Sequence, residues 1–458
     1  MEYVHRSYEK GRTVAAVATP PGEGGIAVIR LSGDDAFSIA QKIFSKDISL
    51  FASHTAHYGK IVDSHGRVID EVLLLILRGK RSFTGEDTVE IHCHGGTLIT
   101  RRVLQRVLEA GAYPALPGEF SFKAFINGKI DLTQAEAIQE LISSKNQKAL
   151  TCAQETLQGH LKTKIASLQQ TLTHITAIFE AWVDYPEEGL EFASYEEILA
   201  LLEETHKNLQ TLCHSYEEGK IVKEGLHLCL LGLPNAGKSS LMNALSGQER
   251  AIVTNIAGTT RDTLDEEVRL GDLHFTLTDT AGIRETHELI EQEGIKRSFH
   301  AAAHADILLF VADIHLGWGQ EEKDLLTKLP PHKTLLIWNK IDTFIGTTPS
   351  CSHPHQIFLS AKTGDGLNLL KEAIHRLMEK KHFLSNDQLM ITSQRHYHAL
   401  TKACQAIERA LQGLQTNLSP ELLSIEMKEA LHELGIILGR NISEDILNAI
   451  FSKFCVGK

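Results

Sequence analysis

Disulfide chemistry has little to work with in this chain. Its seven cysteines stand at 93, 152, 213, 229, 351, 404 and 455, an odd number with no Cys-x-x-Cys pair. That pattern argues against a disulfide framework and fits a reduced, cytoplasmic protein. Proline is scarce, with 11 in 458 residues, and with 42% apolar and 23% charged residues the composition leaves no large disordered share. Long hydrophobic runs are missing too: stretches such as Ile307 to Ala312 fall far below the roughly 18 residues that span a bilayer, so no membrane partner is expected. Nor is positive charge in excess, since 46 Lys and Arg stand against 58 Asp and Glu, a net charge of -12. Nucleic acid would therefore be held by a local basic patch or through a second protein. The opening MEYVHRSYEKGR mixes both charge signs without an apolar centre and reads as neither a secretion signal nor a transit peptide.

What the chain does have is a change of texture along its length, which at about 150 residues per domain has room for roughly three domains. Over 1–125, short strands (VAAVAT, GIAVIRLSG, KIVD, RVIDEVLLLILRG, TVEIHCH) lead into the helix GTLITRRVLQRVLEAG, an α+β pattern. Over 126–219 the period is helical, and Thr133 and Glu136 have capping-box spacing. Over 220–384 the strands HLCLLG, HFTLTDT, DILLFVAD, TLLIWNK and QIFLS alternate with helices, the mark of a doubly wound, mostly parallel sheet. Over 385–458 helices return, with starts at Ser419-Pro420 and Ser443 and a last turn running into FCVGK. Each helical stretch needs its apolar face covered. The economical fold packs the two against each other and treats the α/β block as an insertion.

Strand HLCLLG runs into Gly232-Leu-Pro-Asn-Ala-Gly237-Lys238-Ser239, which satisfies G-x-x-x-x-G-K-S/T between a strand and a helix. In such a loop the amides of Asn235, Ala236, Gly237, Lys238, Ser239 and Ser240 turn toward phosphates, Lys238 adds a point charge and the Ser239 hydroxyl ligates Mg²⁺. Asn339-Lys340-Ile341-Asp342 selects the base, because a carboxylate at Asp342 accepts two parallel hydrogen bonds from guanine and faces a lone pair on adenine. Ser360, Ala361 and Lys362 fit the wall over the base, so the nucleotide is GTP. Asp279, Thr280, Ala281 and Gly282 close a strand where a Mg²⁺ second-shell acid and a γ-phosphate-sensing amide are needed. Thr254, Asn255, Ile256, Ala257, Gly258, Thr259 and Thr260 form the first switch, with Thr260 as a Mg²⁺ ligand. Ile283 stands where many GTPases place a water-orienting Gln. The carboxylates Glu285, Glu288, Glu291 and Glu293 follow; taken alone they read first as a solvated helix face, with a water-orienting acid as the alternative.

GLPNAGKSS, NIAGTTRD, DTAGIRE, NKID and SAK, set inside a split helical region that ends in FCVGK, resemble the bacterial and organellar MnmE (TrmE) tRNA-modification GTPases from about Thr13 to Lys458. TPPGEGGIAVIRLSG, SFTGEDTVE and INGKIDLTQAEAI carry the most specific likeness. The resemblance implies a P-loop GTPase inserted into an all-α domain and preceded by an α+β folate-binding domain. It also implies a potassium-activated homodimer that joins the FAD-dependent MnmG in a heterotetramer. Together these would add an aminomethyl or carboxymethylaminomethyl group at C5 of the wobble uridine of tRNA, with a reduced folate (5,10-methylene- or 5-formyl-tetrahydrofolate) as one-carbon donor. By motif, Asn235, Thr254, Ile256 and Thr259 hold K⁺ and Glu291 orients the attacking water. Arg30, Glu90, Lys129 and Lys458 bind folate, and Cys455 lies near the one-carbon unit as proton donor or nucleophile.

Plainer readings stand beside these. Cys455 reads equally as a small buried side chain and Lys458 as a complement to a helix C-terminus. Glu90, His92 and His94 share one strand face, as a metal set would, with no further ligand spaced to complete it. Lys123 replaces the Arg common in GEF-x-x-R-A-F and would weaken any ligand contact made there. A GTP-switched ribosome-assembly factor is the alternative function, one expected to carry an RNA-binding appendage with a basic face.

Overall fold

The computed structural model describes residues 11–184, 194–248, 265–270, 273–279, 302–303, 305–346, 349, 353–379 and 389–458. The strands and helices begin with β1 Val14–Val17, β2 Gly24–Ser32, α1 Ala36–Ile43, β3 Thr55–Val62, β4 Val68–Leu77, β5 Thr88–Gly95, α2 Thr97–Glu109 and β6 Tyr113–Pro114. Helices α3 Glu119–Ile126, α4 Leu132–Ser143, α5 Gln147–Leu157, α6 His160–Asp184 and α7 Tyr195–Glu224 follow. Next come β7 Leu226–Leu231, α8 Lys238–Gln248, β8 Asp265–Leu270, β9 Leu273–Asp279, β10 Ile307–Asp313, α9 Gln320–Thr327, β11 Thr334–Asn339, β12 Gln356–Phe358 and α10 Leu367–Glu379. Helices α11 Gln394–Gln415, α12 Pro420–Ile437 and α13 Glu444–Phe451 close the chain. Contacts divide it into two compact units, Met1–Ser143 with Ala153–Leu209 and Ala399–Lys458, and Ser144–Cys152 with Gln210–His398.

In the first unit a six-stranded sheet runs β3-β4-β5-β2-β1-β6, antiparallel except where β1 meets β6. Alternation along β2 and β5 sends Ile29, Leu31, Val89 and Ile91 to one face, where Ile39 and Ile43 of α1 and Val103 and Val107 of α2 cover them. Each of these buried side chains contributes about 2 kcal/mol. The same alternation leaves Arg30, Glu90 and His92 on the opposite face.

The two helical stretches do pack on each other in this unit. Helix α6 buries Leu161, Ile165, Leu168, Leu172 and Ile175, and α12 buries Leu423, Met427, Ala430, Leu434 and Ile437. Steps of three and four residues on both helices draw an apolar seam down each. Ser419 and Ser443 stand at the N-cap positions of α12 and α13, with Pro420 opening α12, so both helices start where the sequence suggests, although neither hydroxyl makes a capping hydrogen bond.

Three local expectations are corrected. The capping box at the start of α4 sits two residues earlier than Thr133 and Glu136 suggest: Asp131 Oδ1 accepts from Gln134 N at 3.0 Å, and Gln134 Oε1 accepts from Asp131 N at 3.1 Å. A carboxylate is as good a cap as a hydroxyl and also favours the helix dipole, so Asp131 wins and the Thr133 hydroxyl donates to it. The closing helix stops at Phe451, before Cys455: past it Lys453 N and Phe454 N donate three residues back, to Ile450 O at 3.3 Å and Phe451 O at 3.0 Å, and Gly457 at φ 97 takes the third place of a final turn in which Lys458 N donates to Cys455 O at 3.3 Å. Lys123 reaches no open surface. It is fully buried, and its three N–H groups are spent on Glu86 Oε2 at 2.6 Å, Arg12 O at 2.7 Å and Ser32 O at 3.1 Å.

In the second unit the sheet order is β12-β11-β10-β7-β9-β8, parallel throughout except between β8 and β9. Both faces are buried: Leu228, Leu230, Leu309 and Ile337 pack toward Leu241 of α8 and Ile374 of α10, and Cys229, Phe310 and Trp338 pack toward the other side. Later strands flank β7 on both sides, so the connections reverse there. In open α/β sheets a ligand crevice forms at such a point, beyond the carboxyl ends of the strands.

Candidate functional site

Four carboxyl ends converge on that crevice: Gly232 after β7, Asp279 closing β9, Asp313 closing β10 and Asn339 closing β11. Gly232 is required by space as well as by its φ of 140, since a Cβ there would lie 2.1 Å from Val311 O. Asn235 adopts φ 61, the left-handed region where Asn is among the tolerated residues. Lys238 opens α8 and is nearly buried, its Nζ donating to Gly232 O at 2.9 Å and Leu233 O at 2.8 Å. Ser239 and Ser240 are exposed in the first turn of the same helix, where amides and dipole favour an anion.

Asn339 is the hub between three loops. Almost fully buried, it donates through Nδ2 to Ala236 O at 3.0 Å, while its Oδ1 accepts from Lys340 N at 2.8 Å and Ala361 N at 3.0 Å. Lys340 continues the link: its Nζ donates to Asn235 O at 2.9 Å and to Asp313 Oδ2 at 2.6 Å. Burial works against ionisation of Asp313, but the Lys340 hydrogen bond and charge, with the His315 amide, outweigh it and hold the carboxyl below the usual Asp range. Asp342 is exposed, and the Ser360 hydroxyl donating to its Oδ1 at 2.7 Å holds its carboxyl low, with Lys362 adding to the effect. Each carboxylate oxygen carries two lone pairs, so acceptor capacity is left for two parallel N–H groups.

Asn235, Ala236, Gly237, Lys238, Ser239, Ser240, Asn339, Lys340, Asp342, Ser360, Ala361 and Lys362 are thus gathered in one unit, with the backbone of Asp279 in register beside Leu230. Thr254, Asn255, Ile256, Ala257, Gly258, Thr259, Thr260, Thr280, Ala281, Gly282 and Glu291 lie outside the described residues. Sequence reading passed over Asp313. Its one signal is an acid closing a fully apolar strand, ILLFVAD, level with Asn339 on the next strand.

A second cluster lies in the first unit, on the sheet face opposite α1 and α2. Arg30 and Glu90 are register partners on β2 and β5, and Arg30 Nε donates to Glu90 Oε1 at 2.8 Å. His92 Nε2 stands 3.5 Å from Glu90 Oε2, and His94 Nδ1 is 2.7 Å from Asp70 Oδ1. A guanidinium N–H of Arg30 also reaches Gly457 O at 3.3 Å. The 454–458 segment is held there by its backbone, since Gly118 N donates to Cys455 O at 3.3 Å and Phe120 N to Lys458 O at 3.2 Å. Phe451 and Phe454 anchor it in a small core with Phe122, Phe125, Leu132 and Leu447. A Cβ on Gly457 would lie 2.4 Å from Val17 O, so no other residue allows this approach. Cys455 is a free, exposed thiol, Lys458 is partly buried, and Lys129 donates from Nζ to Lys80 O at 2.8 Å.

The chain matches the MnmE helical domain over residues 132–455 and the GTP-binding protein TrmE N-terminus over residues 13–129. A tRNA modification GTPase MnmE of Protochlamydia amoebophila is 54% identical over 458 residues, covering 100% of both chains. The chain belongs to the MnmE family of tRNA modification GTPases. The MnmE of Chlamydia felis is 44% identical over 449 residues, 98% of this chain and 100% of that one. Among solved structures, Era of Aquifex aeolicus is 22% identical over 40% of this chain and 66% of that chain, with a TM-score of 0.26. The G domain of the T. maritima FeoB iron transporter is 27% identical over 33% of this chain and 98% of that one, with a TM-score of 0.25. As an MnmE-family protein this chain is a GTP hydrolase of tRNA modification. Among the described residues no helix is long and apolar enough to cross a membrane.

Proposed function

We propose that this chain couples GTP hydrolysis to a folate-dependent addition at C5 of the wobble uridine of tRNA. In this reading it acts as a cytoplasmic homodimer with an FAD-dependent MnmG partner. The observation that carries it is the docking of the 454–458 segment on the Arg30–Glu90 pair, with Gly457 O 3.3 Å from Arg30. A pterin offers an amide-amidine edge that a carboxylate pairs with on two parallel hydrogen bonds, the chemistry of Glu90. The glutamyl tail of the folate calls for cations, which Lys129 and Lys458 supply. Cys455, a free and exposed thiol of the same segment, serves the one-carbon unit as proton donor or nucleophile.

In the nucleotide unit, Lys238 and the α8 amides bind the phosphates and Asp342 takes guanine. Ser239 and Thr260 offer Mg²⁺ the oxygen ligands it prefers. Asn235 with Thr254, Ile256 and Thr259 offers oxygens to K⁺, which when bound neutralises charge developing between the β- and γ-phosphates. Glu291 orients water where Ile283 cannot. The domain bounds 1–125, 126–219, 220–384 and 385–458 belong to the same reading.

Removal of residues 455–458, followed by mass spectrometry of wobble nucleosides and a GTPase assay, tests it. Loss of the modified uridine with GTP turnover retained is the expected result. A modified anticodon left intact would refute the role given to the segment.

A further inference from the structure

Lys80, Arg81 and Lys129 form a patch of exposed cations at one end of the Arg30–Glu90 cluster, and no carboxylate among the described residues lies within ion-pair distance of any of them. Lys129 Nζ donating to Lys80 O sets that ammonium beside the short turn Gly79–Arg81. Asn127 Nδ2 donating to Thr84 O at 2.8 Å fastens the same loop to the 82–86 segment that leads into β5. Thr88 opposes Ser32, and two residues on Glu90 opposes Arg30, so the patch borders the candidate pterin site along one strand. Of the nearby acids, Glu86 pairs with Lys123 and Glu90 with Arg30, while Asp87 accepts from Gly79 N at 2.8 Å beside the patch. In a chain of net charge -12, these exposed cations make a local positive patch open to an anion.

We propose that Lys80 and Arg81 form a subsite for the poly-γ-glutamate tail of a folate, an inference that rests on reading Arg30, Glu90 and Lys129 as the folate site. Each γ-linked glutamate adds one carboxylate to a flexible chain leaving the pterin. Lys129 meets the first of these, and Lys80 and Arg81, one turn away, meet those that follow. RNA phosphate is the competing anion, but a duplex presents one charge per about 1.7 Å and calls for a long basic stripe. Here the neighbouring Arg78 is engaged within the fold, donating to Phe51 O at 3.2 Å and lying over the Phe37 ring.

The test is equilibrium binding of 5-formyltetrahydrofolate, as monoglutamate and as pentaglutamate, to the full chain and to its Lys80→Ser/Arg81→Ser variant. The wild type is expected to bind the pentaglutamate more tightly by a factor on the order of ten, with the gain shrinking in high salt. In the variant that gain disappears while monoglutamate affinity stays within about twofold, which also reports that the variant is folded. Equal affinity of the wild type for both forms overturns the subsite and leaves the folate reading standing. So does a variant that keeps the gain. Failure of the wild type to bind either form overturns the folate reading and the subsite with it.

Discussion

In the nucleotide unit, Asn235 and Lys238 belong to one loop and a single backbone conformation sets both, whereas the Arg30 side chain and the Gly457 carbonyl meet across 427 residues of chain. The first arrangement is assembled by local turns whose glycines are visible in the sequence. The second exists only after a sheet has formed and a distant helix has docked on it. A local site is damaged by changes within its loop, while a non-local one is exposed to any weakening of the packing that closes it.

The largest effect expected belongs to the local site: if Asn235 and the first switch hold K⁺, exchanging K⁺ for Na⁺ lowers GTP turnover by about 10³-fold. Equal steady-state rates in the two salts would remove the ion from the reaction. Glu291→Ala is expected to lower turnover by a factor on the order of 10² with GTP affinity unchanged, and rapid-quench kinetics beside nucleotide binding separates the two. Asp342→Asn should weaken GTP binding by a factor on the order of 10² and leave the Arg30–Glu90 cluster untouched, because the effect is confined to base recognition. Titration with a fluorescent guanine nucleotide checks this.

The non-local site is broken through its foundation. Glu86→Ala strands the fully buried Lys123 ammonium and is expected to destabilise the first unit by about 3–5 kcal/mol. The Glu86→Leu/Lys123→Met pair recovers most of that loss, so thermal unfolding of both variants isolates the ion pair. GTPase activity retained in Glu86→Ala at low temperature would sharpen the contrast between the two regions; loss of both activities together would dissolve it.

The smallest effect is Asp313→Asn, which loosens Lys340 from Asn235 O and should weaken GTP binding by about threefold to tenfold. The sign of its pH dependence follows from a folded-state carboxyl held below the ordinary value of 3.8. The stabilisation is fully present above that value and is lost as pH falls through the folded one. The unfolding temperatures of wild type and variant should therefore differ by a constant amount near neutrality and converge only at strongly acidic pH.

Much of this was legible beforehand. Strand and helix periods located both sheets, and the G-x-x-x-x-G-K-S/T, NKID and SAK stretches located one site, because each is a short segment whose backbone need is written in its own residues. Asp313 escaped notice, since an acid at a strand end takes on meaning only when β10 and β11 lie side by side and bring it to Lys340. Lys123 was read as a weakened ligand contact for the same reason: its burial depends on strands and loops that lie far from it in sequence.

By itself the sequence determined the order of elements, the guanine-selecting loops and the family, all of which rest on side-chain period and local backbone chemistry. Only the tertiary structure decided that Arg30, Glu90 and Gly457 share one place and that Lys123 serves the core. Contacts between distant segments are set by which faces can be buried together, and that is a property of the assembled sheet and helices, beyond the reach of any short stretch of chain.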